Sequence, residues 1–325
     1  MTEMNLIQAV VHTLDHEMER DENMIVLGED VGKNGGVLRS TAGLYDKYGG
    51  DRVLDTPLNE STIIGSAIGM ALYGMTACAE IQFQDFLYPG FDQLVNEAAK
   101  FRYRSGGEYN VPMVVRTPYG GGIRGGHYHS QSGETHFAHT SGLKVVVPSN
   151  PYDLKGLLLS SLRDPDPVIF MEPKRIYRAV KNDVPEEDYT VPLGKANLVR
   201  EGEDVSIITF GSMVPVALSA AKAAEEDDIS VEVLDLRTLN PMDEEAVLKT
   251  ARKTGRVVSF CEAPRHVSFA SEVSATIAEK AIDSMEAPIV RVTGYDTPFP
   301  YTLESLYLPD ANRVYDAIEK VYNYR

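Results

Sequence analysis

The sequence predicts an α/β fold of two domains, each a mostly parallel sheet flanked by helices. Short β-rich runs alternate with helical patterns in the first half, and the alternation resumes after a polar stretch that carries two prolines. A chain of 325 residues also agrees with two domains of roughly 150 residues each. We therefore expect one domain over residues 1–185 and another over 201–325, joined by a linker over 186–200.

The expected strands of the first domain are runs rich in apolar and β-branched residues. They are NMIVLGED, TACAEIQF, VPMVVRTP, GLKVVVPS and PVIFMEP. Helices are expected over Thr62–Gly74, over FDQLVNEAAKFRYR and near Pro151–Arg163, whereas VGKNGGVLRS has the composition of a glycine-rich loop. Strands that alternate with helices in this way favour a parallel sheet covered by those helices.

The second domain repeats the pattern on a smaller scale. Its expected strands are VSIITFG, ISVEVLDLR, RVVSFCE and PIVRVTG. Helices are expected from about Pro215 to Glu226, from about Asp243 to Lys253 and from about Ser268 to Ile282.

Composition and charge exclude several classes of protein. The net charge is −17, with 17 basic and 23 acidic residues up to position 185 and 14 and 25 after it. Nucleic-acid binding is not expected, because neutralising phosphates requires clustered Lys and Arg. No charge-free apolar run reaches the roughly 20 residues of a membrane helix, and acids throughout the N-terminal segment argue against a signal peptide. With Cys78 and Cys261 as the two cysteines, we expect a cytoplasmic protein, not a disulfide scaffold.

A lone carboxylate, Glu60, precedes the apolar and small-residue-rich helix expected over Thr62–Gly74. Pro57 and Asn59 are typical of a helix start, and the positive end of a helix dipole favours an acid there. Alternatively, Glu60 points into a dry cleft and takes part in chemistry, since a poorly solvated carboxyl group favours its neutral form and can share its proton. The residues alone leave both interpretations open.

The segment Gly120–Gly125, GGGIRG, has the spacing of a dinucleotide-binding loop and follows an expected strand. Its context argues against that function, because Pro118 lies between the strand and the glycines and no acid follows at the end of a second strand. A loop that lets the backbone approach a ligand is favoured.

Four of the seven histidines follow this segment: His127, His129, His136 and His139. A zinc site is one interpretation, but no cysteine lies near them. A loop histidine that donates a proton or a hydrogen bond to a substrate carbonyl fits better. A surface loop with idle histidines is the third interpretation.

Aromatic residues follow the strand expected at TACAEIQ. Such residues usually pack in a core, which we expect for Phe83 and Phe91. Ligands of open α/β sheets bind at the carboxyl ends of strands. Phe86 and Gln82 are therefore candidates for stacking on, and hydrogen-bonding to, a flat ring.

Several of these segments, taken in order, resemble the beta subunit of thiamine-diphosphate-dependent 2-oxo-acid dehydrogenases. The resemblance spans almost the whole chain and rests on TPLNES, AEIQFQDFLYPGFDQLVNEAAKFRYRSGG, YHSQS with FAH, KGLLLSSLRDPDPVIFMEPK, DLRTLNP, EAPR with FASE, and GYDTPFP. YRSGG and YHSQS resemble the branched-chain members more than the pyruvate members. The resemblance implies a pyrimidine-binding domain followed by a transketolase-type C-terminal domain.

The resemblance also implies roles for five residues. Glu60 would be the acid that activates thiamine diphosphate by sharing a proton with its aminopyrimidine ring. Phe86 would stack on that ring, and Leu58 and Gln82 would line it. His129 would meet the lipoyl arm that accepts the acyl group.

Ions and partners follow from the same resemblance. A potassium site would use backbone oxygens near Val111, Met113 and Val114, with Asp164 and Asp166 nearby. Mg²⁺ and the pyrophosphate would be held by an alpha subunit, because this chain has YGGDRV and not the family's GDG motif. We therefore expect an α2β2 heterotetramer that is inactive without its alpha subunit. Its acidic second domain would dock the basic binding domain of the lipoyl acyltransferase core.

Two alternatives to a branched-chain enzyme stay open, a pyruvate or acetoin dehydrogenase beta subunit and a non-catalytic scaffold subunit. The sequence departs from the family at one loop, where Val267 and Ser268 replace a Gly-Gly pair before FASE. We expect the backbone of this loop to avoid conformations that are open only to glycine.

Overall fold

Alternating strands and helices build two mostly parallel sheets, one in each of two units of the chain, and two further strands of the first unit form a third, two-stranded sheet. The computed structural model describes residues Met1–Arg325. The first unit comprises Met1–Tyr119 and His136–Leu193, and the second comprises Gly120–Thr135 and Gly194–Arg325. The domain limits expected at 185 and 201 stay predictions, while the structure adds the segment 120–135 to the second unit.

The strands are short and mostly buried. They are β1 Thr2–Asn5, β2 Met24–Gly28, β3 Val53–Asp55, β4 Thr76–Glu80, β5 Met113–Tyr119, β6 Lys144–Val146, β7 Val168–Pro173, β8 Lys181–Val184, β9 Asn197–Arg200, β10 Val205–Thr209, β11 Val231–Asp235, β12 Thr238–Asn240, β13 Val257–Phe260 and β14 Val290–Val292.

The helices connect most of these strands. They are α1 Leu6–Arg20, α2 Leu44–Tyr48, α3 Glu60–Leu72, α4 Phe101–Arg104, α5 Glu134–Ala138, α6 Pro151–Leu162, α7 Met213–Glu225, α8 Glu244–Thr254, α9 Phe269–Lys280, α10 Glu304–Tyr307 and α11 Ala311–Tyr322. None of them is both long and apolar enough to cross a membrane.

The predicted fold class, two mostly parallel sheets flanked by helices, is confirmed. In the first unit, six strands lie in the order β6-β7-β5-β4-β2-β3, and every neighbouring pair is parallel. In the second unit the order is β14-β13-β10-β11-β9, and only β9 runs antiparallel to its neighbour. Each unit has its own apolar core, since both faces of a parallel sheet must be covered.

Caps in the sequence define several helix starts. Asn150 caps α6 with Pro151 as its first residue, and the side chain of Asp243 accepts a hydrogen bond from the Ala246 backbone at the start of α8. Gly255 ends α8 in the left-handed conformation, with φ of 65°. These local signals explain why both helices begin and end close to the predicted positions.

One expectation about local structure is wrong. The segment FDQLVNEAAKFRYR is not one α-helix, because a π-helical turn at Gln93–Glu97 and a 3₁₀ turn at Ala98–Lys100 precede α4. The stretch expected as a linker, 186–200, follows β8, which pairs antiparallel with β1, and it ends in β9, which pairs with β11. Their polar composition concealed both strands, since neither is buried on two faces.

Candidate active site

Three neighbouring parallel strands of the first unit end at one edge of the sheet, and most of the predicted site residues follow them. β2 lies between β3 and β4, and all three run in the same direction. Glu29 follows β2, Leu58 and Glu60 follow β3, and Gln82 follows β4. Ligands of open α/β sheets bind beyond the carboxyl ends of the strands. This edge is therefore the candidate active site.

Glu60 is the first residue of α3, and 9% of it is exposed. Asn59 caps the helix, because its side-chain oxygen accepts a hydrogen bond from the backbone N–H of Thr62 at 3.0 Å. The cap makes Glu60 the first residue of the helix and so determines where the Glu60 side chain leaves the backbone. A first-turn acid is also favoured by the helix dipole, so the two interpretations of Glu60 are compatible.

The helical turn Gln84–Gly90, which carries Phe86, packs against the start of α3. A Cβ atom at Gly90 would lie 2.3 Å from Cδ1 of Ile64 and 3.2 Å from the carbonyl oxygen of Glu60. The absence of a side chain at Gly90 thus allows this close approach. The aromatic candidate and the acidic candidate therefore lie on two elements in direct contact.

The aromatic and amide candidates differ in exposure. Phe86 is half-buried and meets Phe83 edge to face, with ring centroids 6.1 Å apart. Phe83 is buried, as expected for a core residue, whereas Phe91 is only half-buried. Gln82 is half-buried, and 77% of Leu58 is exposed. The half-buried groups leave polar and aromatic surface open to a ligand, and their roles toward it stay predictions.

Glu29 is a member of this edge that sequence reasoning did not single out. Burial raises the pKa of its carboxyl group, and the negative charges of Glu60 and then Asp30 raise it further. Glu29 and Glu60 are thus close enough to interact electrostatically. The sequence signal that could have identified Glu29 is its position directly after a buried strand of a parallel sheet.

A buried ion cluster joins the ends of three strands in the same unit. Arg116 on β5 donates to Glu80 on β4 at 3.0 Å and to Glu172 on β7 at 2.7 Å. Ser40 donates a further hydrogen bond to Glu80, and the Tyr177 hydroxyl donates one to Glu172. Burial raises the pKa of Glu172, and the charge of Arg116 opposes that shift. The cluster fixes the strand from which Gln82 extends.

His129 belongs to the second unit, in the loop 120–135. It is half-buried and follows a 3₁₀ turn at Gly126–Tyr128, and its backbone N–H donates to the Gly126 carbonyl at 3.3 Å. No three histidine, cysteine, aspartate or glutamate side chains of the structure gather as metal ligands would. The zinc interpretation of the histidine-rich segment therefore has no structural support. No helix begins at Gly120–Gly125, which also disfavours a dinucleotide loop.

The residues expected around potassium lie in two segments: Val111, Met113, Val114, Asp164 and Asp166. Both carboxylates are already paired with cations. Lys144 lies 2.6 Å from Asp164, and Arg102 lies 2.5 Å from Asp166. The potassium site, including the backbone oxygens, stays a prediction.

The loop that departs from the family pattern adopts a conformation that the sequence argued against. Val267 has φ of 56°, in the left-handed region, and 80% of it is exposed. This is an uncommon backbone for a β-branched residue. The expectation that Val267 would avoid glycine-like backbone is wrong. Beside it, Nδ1 of His266 lies 2.7 Å from the Asp296 carboxylate, and the His266 backbone N–H donates to the same side chain.

Comparison with known families matches both halves of the chain. The model described as "Transketolase, pyrimidine binding domain" matches residues 2–180. The model described as "Transketolase, C-terminal domain" matches residues 194–314. A solved structure described as a split-gene transketolase, an inactive beta4 tetramer, superposes with a TM-score of 0.81 at 22% identity and covers 98% of each chain. It supports the fold.

Curated relatives match over nearly the full length. The 2-oxoisovalerate dehydrogenase subunit beta of Dictyostelium discoideum is 53% identical, over 99% of this chain and 87% of that protein. The subunit of the same name from Bacillus subtilis is 49% identical, over 99% of each chain. The pyruvate dehydrogenase E1 component subunit beta of Acholeplasma laidlawii is 47% identical, over 99% of this chain and 98% of that one.

These matches agree with the geometry, since the pyrimidine-domain match covers the strand edge that carries Glu29, Glu60 and Phe86. The identities lie well above the level at which only a fold is shared, and no large segment of the chain is left unmatched. The chain belongs to the family of 2-oxo-acid dehydrogenase beta subunits.

Proposed function

We propose that, with an alpha subunit, this chain decarboxylates branched-chain 2-oxo acids by means of thiamine diphosphate and passes the acyl group to the lipoyl arm of an acyltransferase. The observation that carries the proposal is the buried carboxyl group of Glu60 at the start of α3, at the carboxyl edge of a parallel sheet. The names of relatives at 53% and 49% identity support the branched-chain substrate class.

The residues at this edge fit the pyrimidine half of thiamine diphosphate. An acidic side chain and a half-buried aromatic ring lie on two elements in contact, which suits a flat, nitrogen-containing ring. When bound, the cofactor supplies an electron sink that lets carbon dioxide leave a 2-oxo acid. Glu60 holds the proton that is shared with a ring nitrogen, and Phe86 orients the ring by stacking. Gln82 and Leu58 line the ring.

The remaining half of the site requires a partner. The chain has no GDG motif to hold a pyrophosphate through Mg²⁺, so we assign that clamp to an alpha subunit in an α2β2 heterotetramer. Docking of the acidic second domain on the lipoyl acyltransferase core, the potassium site and the cytoplasmic location stay predictions.

Replacement of Glu60 tests the proposal directly. Glu60→Gln keeps the shape of the side chain but removes the shared proton, and proton transfer of this kind contributes about 10²–10⁴-fold to rate. We expect that loss in decarboxylation by the reconstituted complex, measured with an artificial electron acceptor, while assembly is unchanged. Glu245→Gln, an exposed first-turn acid of α8, is the matched control. Near-normal turnover by Glu60→Gln would contradict the assignment.

His129 is assigned to acyl transfer and not to decarboxylation. His129→Ala should reduce transfer to a lipoyl domain more than it reduces turnover with an artificial acceptor. Equal losses in both assays would exclude this division of roles. A scaffold function predicts instead that activity persists when Glu60 and His129 are both replaced.

A pyruvate dehydrogenase function is the second candidate, because a relative of that name is 47% identical. The two functions are separated by the substrate. We expect kcat/KM for the 2-oxo acid with an isopropyl side chain to exceed that for pyruvate in the reconstituted complex. The reverse order would favour the second candidate.

The chain alone should bind thiamine diphosphate weakly or not at all.

A further inference from the structure

Glu134 is a fully buried acid that the proposed reaction does not use. Its exposure is 0%, and neither of its carboxylate oxygens has a hydrogen-bond partner. Buried carboxyl groups are normally paired or hydrogen-bonded, so an exception needs a reason. Glu134 is the first residue of α5 and lies next to the end of the segment 120–135, the loop that also carries His129.

This loop is tethered to the second unit by another buried acid, Glu262. The backbone N–H of Gly121 donates to Oε2 of Glu262 at 3.2 Å, and the Ser212 hydroxyl donates to Oε1 at 2.9 Å. A Cβ atom at Gly120 would lie 2.3 Å from the same Oε1, so only glycine lets the loop come this close. The first turn of the loop is therefore held by a carboxylate.

Two further contacts close the loop around its middle. The Gly120 backbone N–H donates to the Gln131 carbonyl at 3.0 Å, and the Arg124 backbone N–H donates to Glu304 at 2.9 Å. His129 lies between these contacts in the sequence. The placement of His129 consequently depends on both ends of the loop. Glu262 holds the first end, and Glu134 lies at the other.

The electrostatic surroundings of Glu134 contain acids and weak acids. Burial raises the pKa of Glu134 to about 7, and the charge of Glu262 adds to the shift. The other titratable groups that interact with it are the buried thiol of Cys261 and the hydroxyl of Tyr307, and the pKa of each is raised, chiefly by burial. No cation acts on Glu134.

We propose that Glu134 is a positioning residue whose neutral carboxyl group keeps the loop 120–135 packed against the second unit and whose ionisation releases it. The consequence for acyl transfer rests on the function proposed for His129. An ionised Glu134 would place a second negative charge near the carboxylate that anchors Gly121, without a cation to compensate it. The less costly response is for the loop to turn Glu134 toward water, which displaces His129.

Hydrogen exchange in the assembled alpha–beta complex tests this proposal without requiring turnover. Exchange of amides in 120–135, corrected for the intrinsic pH dependence, should accelerate by roughly tenfold per pH unit as pH rises from about 4.5 to about 7, and should level off above about pH 7. Glu134→Gln, which cannot ionise, should abolish the acceleration. Glu272→Gln, an exposed acid at the first turn of α9, should behave like the wild type.

A second variant covers the case in which Glu134→Gln fails to assemble. Glu262→Gln removes the like charge, so the midpoint of the exchange transition should move to lower pH. Wild-type exchange that is independent of pH, or an unchanged midpoint in Glu262→Gln, would overturn the proposal. The rate of lipoyl acylation should fall over the same pH range in the wild type but not in Glu134→Gln. If hydrogen exchange follows this prediction but lipoyl acylation does not, the role assigned to His129 is wrong and the positioning role of Glu134 is supported.

Discussion

Buried acidic side chains have opposite surroundings at one place in each of the two units. In the first unit, Glu80 and Glu172 are 2% and 0% exposed, and both bond to Arg116. In the second unit, Glu134 is equally buried but has neither a cation nor a hydrogen-bond donor from another residue. Burial alone therefore does not determine what a carboxyl group does. A counter-charge makes it a structural tie between strands, and the lack of one makes it a group that titrates near neutral pH.

Removing the counter-charge of the first unit should have the largest effect on stability. Arg116→Met leaves two buried carboxyl groups without their cation, which costs about 3–5 kcal/mol. Urea unfolding of the complex would measure this loss. Arg104→Met, which breaks an exposed pair with Glu97, should cost less than about 1 kcal/mol. Similar losses in the two variants would show that the buried cluster is not a structural tie.

Stability of the second unit should depend on pH through Glu134. Its folded pKa of about 7 lies above the ordinary 4.5, so the stability present below about pH 4.5 is lost as pH rises to about 7. Glu134→Gln lacks this loss, and its stability relative to wild type should therefore grow across that window, by at most roughly 3 kcal/mol. Urea unfolding at several pH values would measure the difference. A difference that does not change with pH would mean that Glu134 titrates normally.

Removing one donor from the first cluster should have the smallest effect. Tyr177→Phe deletes the hydroxyl that donates to Glu172 but leaves Arg116 in place, so we expect a loss of about 1–2 kcal/mol. Tyr189→Phe, whose hydroxyl donates to the Tyr152 carbonyl, is the matched control at a more exposed position. If Tyr177→Phe cost as much as Arg116→Met, the hydroxyl and not the cation would be the main partner of Glu172.

The sheets could be predicted because their strands are continuous apolar runs. β2, β4 and β10 lie within the segments assigned to them, since buried parallel strands leave little room for polar residues. β8 could not be predicted, because its residues are largely exposed and its partner β1 lies at the other end of the unit's sequence. The π-helical turn at Gln93–Glu97 could not be predicted either, because such a turn cannot be recognised from the helical periodicity of apolar residues.

Part of the candidate site could also be predicted, because apolar strands and therefore their ends can be located in the sequence. Glu60, Gln82 and Phe86 follow strand ends, where the rule for α/β sheets directs attention. Glu134 was visible only as an acid between glycine and threonine, because Glu262, the like charge that acts on it, lies far along the chain. Arg116 lies inside an apolar strand, and its two partners come from strands on either side. Contacts of this kind are set by strand order, which the local sequence does not contain.

Infrared difference spectroscopy of carboxyl groups tests the contrast between the units most directly. Near pH 6 the spectrum of Glu134→Gln should lack one band of a neutral carboxylic acid relative to wild type. The spectrum of Glu80→Gln should instead lack a carboxylate band, because Glu80 is paired with Arg116. Loss of a carboxylate band in Glu134→Gln at that pH would contradict the account, since it would mean that Glu134 is ionised although it is buried without a cation.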